Sequence, residues 1–243
     1  LDRSSAASDV YKRQQHAYPG LLSFPRPGAG CLLRGFMRIS FSPFALLATS
    51  LFLTSAPAHA DYVWLERDTA GAAHAYVGDF EAVKGATTGL AVVRAFMADG
   101  KDLPLSTEAE RLNISAPANG DVRLTATRIG DKDVLNYFQA KHGRSETKAV
   151  NDLELVPTEA NGNTFKLVWK GNTVAATQVN VETSEGWHRV LKPAKDGTVT
   201  LNPLFPARYF LEVSARVNGS VTLNGKKYED VRHTATLTFE VKK

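Results

Sequence analysis

Cysteine is almost absent from this sequence: Cys31 is the only one among 243 residues. One thiol closes no internal disulfide. Cys31 also lies in a stretch expected to be lost, so thiolate metal sites and cysteine nucleophiles are excluded too. Signatures of common enzymes are missing as well. There is no Gly-x-Ser-x-Gly elbow, no His-Glu-x-x-His and no Gly-rich phosphate loop, so the expectation is a non-enzymatic protein. No nineteen-residue apolar run follows position 60, and no membrane-spanning helix is expected there. Excess charge of one sign is lacking where it would count. The chain has 29 lysines and arginines against 25 aspartates and glutamates, but six of the basic and two of the acidic residues precede Asp61. From Asp61 onward 23 of each remain. A formally neutral protein has no excess of cations with which to grip nucleic-acid phosphates.

What is present begins with an export signal. Met37-Arg-Ile-Ser carries one positive charge, an apolar run extends from Phe44 to Leu53, and Thr-Ser-Ala-Pro-Ala-His-Ala follows. That order predicts a signal peptide over 37–60, cleaved after Ala60 or after Ala58, and a periplasmic protein. Residues 1–36 precede this signal, and Asp9-Val-Tyr-Lys-Arg-Gln14 resembles the translated end of a sequencing adapter. They are expected to be a non-native leader.

The remainder reads as short strands separated by Gly, Asn and Asp turns. In an N-terminal β module over 61–148, strands are expected at Asp61–Glu66, His74–Phe80 and Gly89–Met97, the last closed by Asp99-Gly100. A helical turn is expected from Thr107 to Leu112, and two short strands flank the turn at 118–121. From Thr127 to Thr147 the apolar pattern weakens and charge rises, so His142, between Lys141 and Arg144, reads as a solvated loop residue. The module boundary falls near 144–152. A second β-sandwich module over 149–243 follows. Its longest alternation is Tyr209, Leu211, Val213, Ala215 and Val217. In its last strand His233, Ala235, Leu237, Phe239 and Val241 share one face, and Thr234, Thr236, Thr238 and Glu240 share the other. The expected fold is all-β, with two sandwich-like modules.

Two resemblances add to this reading. Asp196-Gly-Thr-Val-Thr-Leu followed by Pro206-Ala-Arg-Tyr-Phe-Leu-Glu-Val213 resembles the pattern of transthyretin-like and collagen-adhesin-type immunoglobulin sandwiches, although Ala207 stands where those often carry glycine. This makes the second module immunoglobulin-like. The whole of 61–243 is similar to an exported bacterial family associated with nickel or cobalt uptake. The matching features are Tyr62-Val-Trp-Leu-Glu66, Tyr76-Val-Gly-Asp-Phe80, Asp152-Leu-Glu-Leu-Val-Pro157, Gly186-Trp187, and Asp230-Val-Arg-His233 with Leu237 and Phe239. The resemblance implies a periplasmic accessory protein for transition-metal uptake, with a membrane metal transporter or another envelope component as partner. Members often begin with a histidine just after cleavage, whereas His59 here precedes the favoured cut.

Histidine and carboxylate are the ligands available for nickel, cobalt, copper or zinc. His233, with Asp230 and Tyr228 nearby, is the leading metal candidate, and His188, His74 and His59 complete the set. No pair has the spacing that makes a site visible in sequence. For His233 the competing reading is a buried ring hydrogen-bonded to a loop carbonyl. A metal-free structural or interaction module that binds a protein or glycan at the cell envelope is the competing reading for the whole chain. Trp64, Trp169 and Trp187 are the aromatic residues available for a sugar-stacking platform, with Trp169 in phase with the core residues Phe165 and Leu167.

Overall fold

Alternation at the C-terminus builds an eleven-residue strand at the centre of the largest sheet. The computed structural model describes residues 62–80, 84–217 and 219–242. The first nine strands are β1 (Tyr62–Arg67), β2 (Ala73–Gly78), β3 (Lys84–Gly85), β4 (Ala91–Phe96), β5 (Asp102–Leu103), β6 (Leu105–Thr107), β7 (Leu112–Ile114), β8 (Val122–Ile129) and β9 (Leu135–His142). Ten follow: β10 (Leu153–Pro157), β11 (Thr164–Trp169), β12 (Asn172–Val174), β13 (Val179–Thr183), β14 (His188–Leu191), β15 (Val199–Thr200), β16 (Ala207–Val217), β17 (Val221–Leu223), β18 (Lys226–Tyr228) and β19 (Val231–Val241). The described residues are all-β and sandwich-like, with a short 3-10 turn at Asp131–Asp133. No described helix is long and apolar enough to cross a membrane.

Eight strands form one sheet in the order β14-β13-β16-β19-β9-β8-β4-β5. It takes strands from both sides of position 148. Its neighbours are antiparallel except β9 and β19, which run parallel with His233 beside Tyr137 and Thr236 beside Ala140. A smaller sheet packs on each face. Strands β1, β2, β7 and β6, with β3 beside β2, form the first. Val63, Leu65, Ala75 and Leu112 from this sheet close a core with Val122, Leu124, Phe138 and Ala140 of the large one. On the opposite face, β10, β11, β12 and β15 bring Leu155, Phe165 and Leu167 against Val181, Leu211, Leu237 and Phe239. Tyr209 anchors the loop before β16: its hydroxyl donates to Phe205 O at 3.0 Å and accepts from Leu204 N at 3.2 Å. That geometry is the tyrosine corner of immunoglobulin-type sandwiches. Asn224 and Gly225, both at positive φ, make the two-residue turn that joins β17 to β18.

Two segments depart from the sequence expectation for one physical reason: both faces of the central sheet are covered. Thr234, Thr236 and Thr238, on the polar phase of β19, are buried. Thr236 Oγ1 donates to Val63 O at 2.7 Å, and Thr238 Oγ1 donates to Leu65 O. The threonines thus tie β19 to backbone carbonyls of β1. The stretch read as a charged loop around Lys141 and His142 is instead β9, with both residues buried. The expected helical turn after Thr107 is a tight turn in which Glu108 N donates to Arg111 O at 2.8 Å.

Residues 143–152 are held down by a buried ion network. Arg123, with no exposed surface, donates to Glu154 through Nε and Nη2 and to Glu146 Oε2 at 2.6 Å. Lys141 Nζ lies 3.0 Å from Asp121 Oδ2 and 3.5 Å from Glu154 Oε1. Burial raises the Asp121 pKa, but Lys141 and the donors at Ser145 and Glu146 outweigh it and hold the carboxyl below its ordinary value. Glu154 Oε2 also accepts from the backbone N–H groups of Val150 and Asn151, each at 2.9 Å. Gly143 allows this close approach. Its φ is +103°, and a Cβ there would collide with Asp121 Oδ1.

Candidate functional site

His233 is 7% exposed on β19, its ring stacked on Tyr137 with centroids 4.8 Å apart and met edge-on by Trp169 at 4.7 Å. Its protonation is set from one residue away. Leu153 N donates to Gln139 Oε1 at 2.7 Å, which fixes the orientation of that amide. Gln139 Nε2 therefore donates to His233 Nδ1, at 3.0 Å. Nδ1 must offer its lone pair, so the neutral ring carries its proton on Nε2. Metal-bound imidazoles show the opposite arrangement, in which the second nitrogen donates its N–H to an acceptor. In this arrangement a metal at Nε2 would require a ring stripped of both protons. Burial lowers its pKa from 6.5 to about 4, keeping it neutral.

The other candidates do not gather around it. Asp230 forms a two-point pair with Arg216. Tyr228 is buried against Leu135 and Val231. His188 is exposed on β14, the outer strand of the large sheet, opposite Glu182. His74 is buried in the first small sheet, with Nδ1 2.9 Å from Asn113 Oδ1 and Nε2 3.3 Å from Asp68 Oδ2. Side chains thus occupy both of its nitrogens. His142 meets Thr238 Oγ1 at 3.2 Å, and burial lowers its pKa from 6.5 to about 4. His59 and the cleavage sites lie outside the described residues. Among the described residues no three His, Cys, Asp or Glu side chains come together to hold a metal ion.

A different constellation does assemble. Tyr62-Val-Trp-Leu-Glu66 on β1 and Tyr76-Val-Gly-Asp-Phe80 from β2 onward bring their aromatic side chains to the face of β1 away from the first core. The Trp64 ring lies 5.8 Å from Tyr76 and 5.7 Å from Phe80, Phe80 stacks on Phe210 at 4.7 Å, and Tyr62 meets Phe210 at 5.7 Å. Trp64 and Phe210 are buried, whereas Tyr62 and Phe80 are only half-buried. Trp64 Nε1 donates to Glu66 Oε1 at 2.8 Å, and Glu66 pairs with Arg208 at 2.5 Å.

Beyond Phe210 the sheet face continues as a shelf. Strand register sets His188, Glu182 and Phe210 in one row and Val190, Asn180 and Glu212 in the next. A depression of about 350 Å³ lies against β13 and β14, lined by Asn180, Val181, Glu182, His188, Arg189 and Val190. Glu212, only 4% exposed, accepts from Asn180 Nδ2 at 2.7 Å and from Ser214 Oγ. Burial raises its pKa despite these donors. The Tyr62 hydroxyl is pushed up to about 12, first by burial and then by Glu212, Glu182 and Asp79. Sequence reasoning passed over Phe210 and Glu212. The available signal was a phenylalanine on the polar phase of the 209–217 alternation.

Comparison with protein-family models finds no match to this chain, and comparison with curated proteins finds none.

Proposed function

We propose that the chain is a non-catalytic interaction module, exported to the periplasm, that engages a component of the cell envelope without metal. The observation that carries this reading is the aromatic corner. Side chains from two separated sequence motifs meet there around Phe210, whose strand neighbour Glu182 lines the open depression against β13 and β14. The described histidines support the same view, because the rings of His233 and His74 are engaged by neighbouring side chains. The uptake role implied by the resemblance calls for a transition-metal centre, and the tautomer fixed at His233 argues against one there.

Photo-crosslinking in the producing cell tests the interaction. A crosslinking residue is placed in turn at Val92, Val190 and Leu204, which are 64%, 50% and 66% exposed. The expected result is a discrete adduct with an envelope component from at least one position. Absence of any adduct would refute the reading. Calorimetric titration with nickel, cobalt, copper and zinc tests the metal alternative. Binding tighter than about 100 μM, or about −5.5 kcal/mol, that is lost in His233→Ala would restore it.

A further inference from the structure

Buried Gln139 joins β9 to two other strands through one amide. Its Oε1 accepts from Leu153 N at 2.7 Å, and its Nε2 donates to His233 Nδ1 at 3.0 Å. A backbone N–H can only donate, so the amide has one orientation that serves both partners, and it serves them only while Nδ1 is an acceptor. A proton taken from solvent onto the Nδ1 lone pair turns that nitrogen into a donor. The amide then loses one bond whichever way it lies. Left in place, it sets its N–H against the ring N–H. Turned over, it offers Oε1 to His233 and sets Nε2 against Leu153 N–H. The turned state keeps the stronger bond, because a contact to a charged ring is charge-assisted.

Leu153 is placed to feel that change. It opens β10, the outer strand of the order β10-β11-β12, and stands across from Trp169. The adjoining bond between these strands runs from Lys170 N to Asp152 O at 2.6 Å. Antiparallel bonds alternate along a strand, so Leu153 N–H points away from β11 and toward Gln139.

The groups facing the ring come from several elements. Tyr137 and Gln139 reach it from β9, Trp169 from β11, and Ala215 of β16 lies across from it in the ladder. On its own strand Arg232 lies 4.0 Å from Asp230, which pairs with Arg216. Burial keeps the ring neutral at pH 7, with its pKa lowered to about 4; Asp152 favours the added proton and Lys170 opposes it.

We propose that Gln139 is an acid-operated toggle: when His233 takes a second proton, the amide turns over, Leu153 N–H is released, and the start of β10 comes free of β9.

Amide hydrogen exchange followed by NMR between pH 7 and pH 4, together with the ring signals of His233, tests the toggle. Protection factors are corrected for the intrinsic pH dependence of exchange. As the ring protonates, protection at Leu153 is expected to fall about tenfold more than at Glu154 and Val156 of the same strand. In His233→Phe, which cannot take the proton, the three amides are expected to lose protection together. Gln139→Glu offers one oxygen to each partner. It is expected to keep Leu153 protected and to raise the titration of His233 by about one pH unit or more. A ring that stays neutral throughout the folded range overturns the proposal. So does Leu153 protection that tracks Glu154 and Val156 in the wild type, or a selective loss at Leu153 that persists in His233→Phe.

Discussion

Two histidines, His142 and His233, are buried with pKa values lowered to about 4 from an ordinary 6.5, chiefly by burial. The folded protein therefore holds both neutral, while the unfolded chain protonates them near pH 6.5. Their contribution to stability is fully present above that pH and is lost as pH falls toward 4. Each ring accounts for about 2 kcal/mol of lost stability by pH 5 and about 3 kcal/mol by pH 4. Against a typical domain stability of about 5–15 kcal/mol, losing both is a large fraction. Glu212 acts with the opposite sign. Its raised pKa makes the folded state more costly at high pH, and protonation relieves that cost on acidification. Urea unfolding at pH 7, 6, 5 and 4.5, in the wild type and in Glu212→Gln, isolates the histidine contribution. His233→Phe preserves the stack with Tyr137 and Trp169 while removing one titrating group. Its stability should fall less steeply with pH, by up to one proton, or about 1.4 kcal/mol per pH unit. Equal slopes in the wild type and His233→Phe would refute the claim that His233 is buried neutral.

Three substitutions probe the framework. Arg123→Met leaves Glu154 and Glu146 without their main cation and should cost about 3–5 kcal/mol in urea unfolding. Gly143→Ala forces an alanine to φ +103° and against Asp121, and should lower stability by about 2 kcal/mol or more. Thr238→Val removes the donor to Leu65 O and should cost about 1–3 kcal/mol, with faster amide exchange in β1.

The final strand was legible because an alternating row of Ala235, Leu237 and Phe239 faces one core. Its threonine face reads as solvent-exposed in sequence, because a hydroxyl that satisfies a strand carbonyl looks the same as one that meets water. β9 was invisible for a related reason. Phe138 and Ala140 face the first core, while Gln139 and Lys141 are satisfied on the other side by Leu153, Glu146 and Asp121, so the charges that suggested a loop are buried partners. His233 stood out correctly as a core-phase polar residue, but its role depends on the direction of the Gln139 amide, ninety-four residues away in sequence. The aromatic corner was half legible. Both motifs that enter it were noticed, yet only the register of β13 and β16 shows that Phe210 and Glu212 complete it.

Backbone-amide NMR of the chain, titrated with nickel, tests the metal-free reading most directly. The account predicts that nickel leaves residues 137–139 and 231–235, around His233, unchanged. Nickel-induced broadening centred on His233 would contradict it.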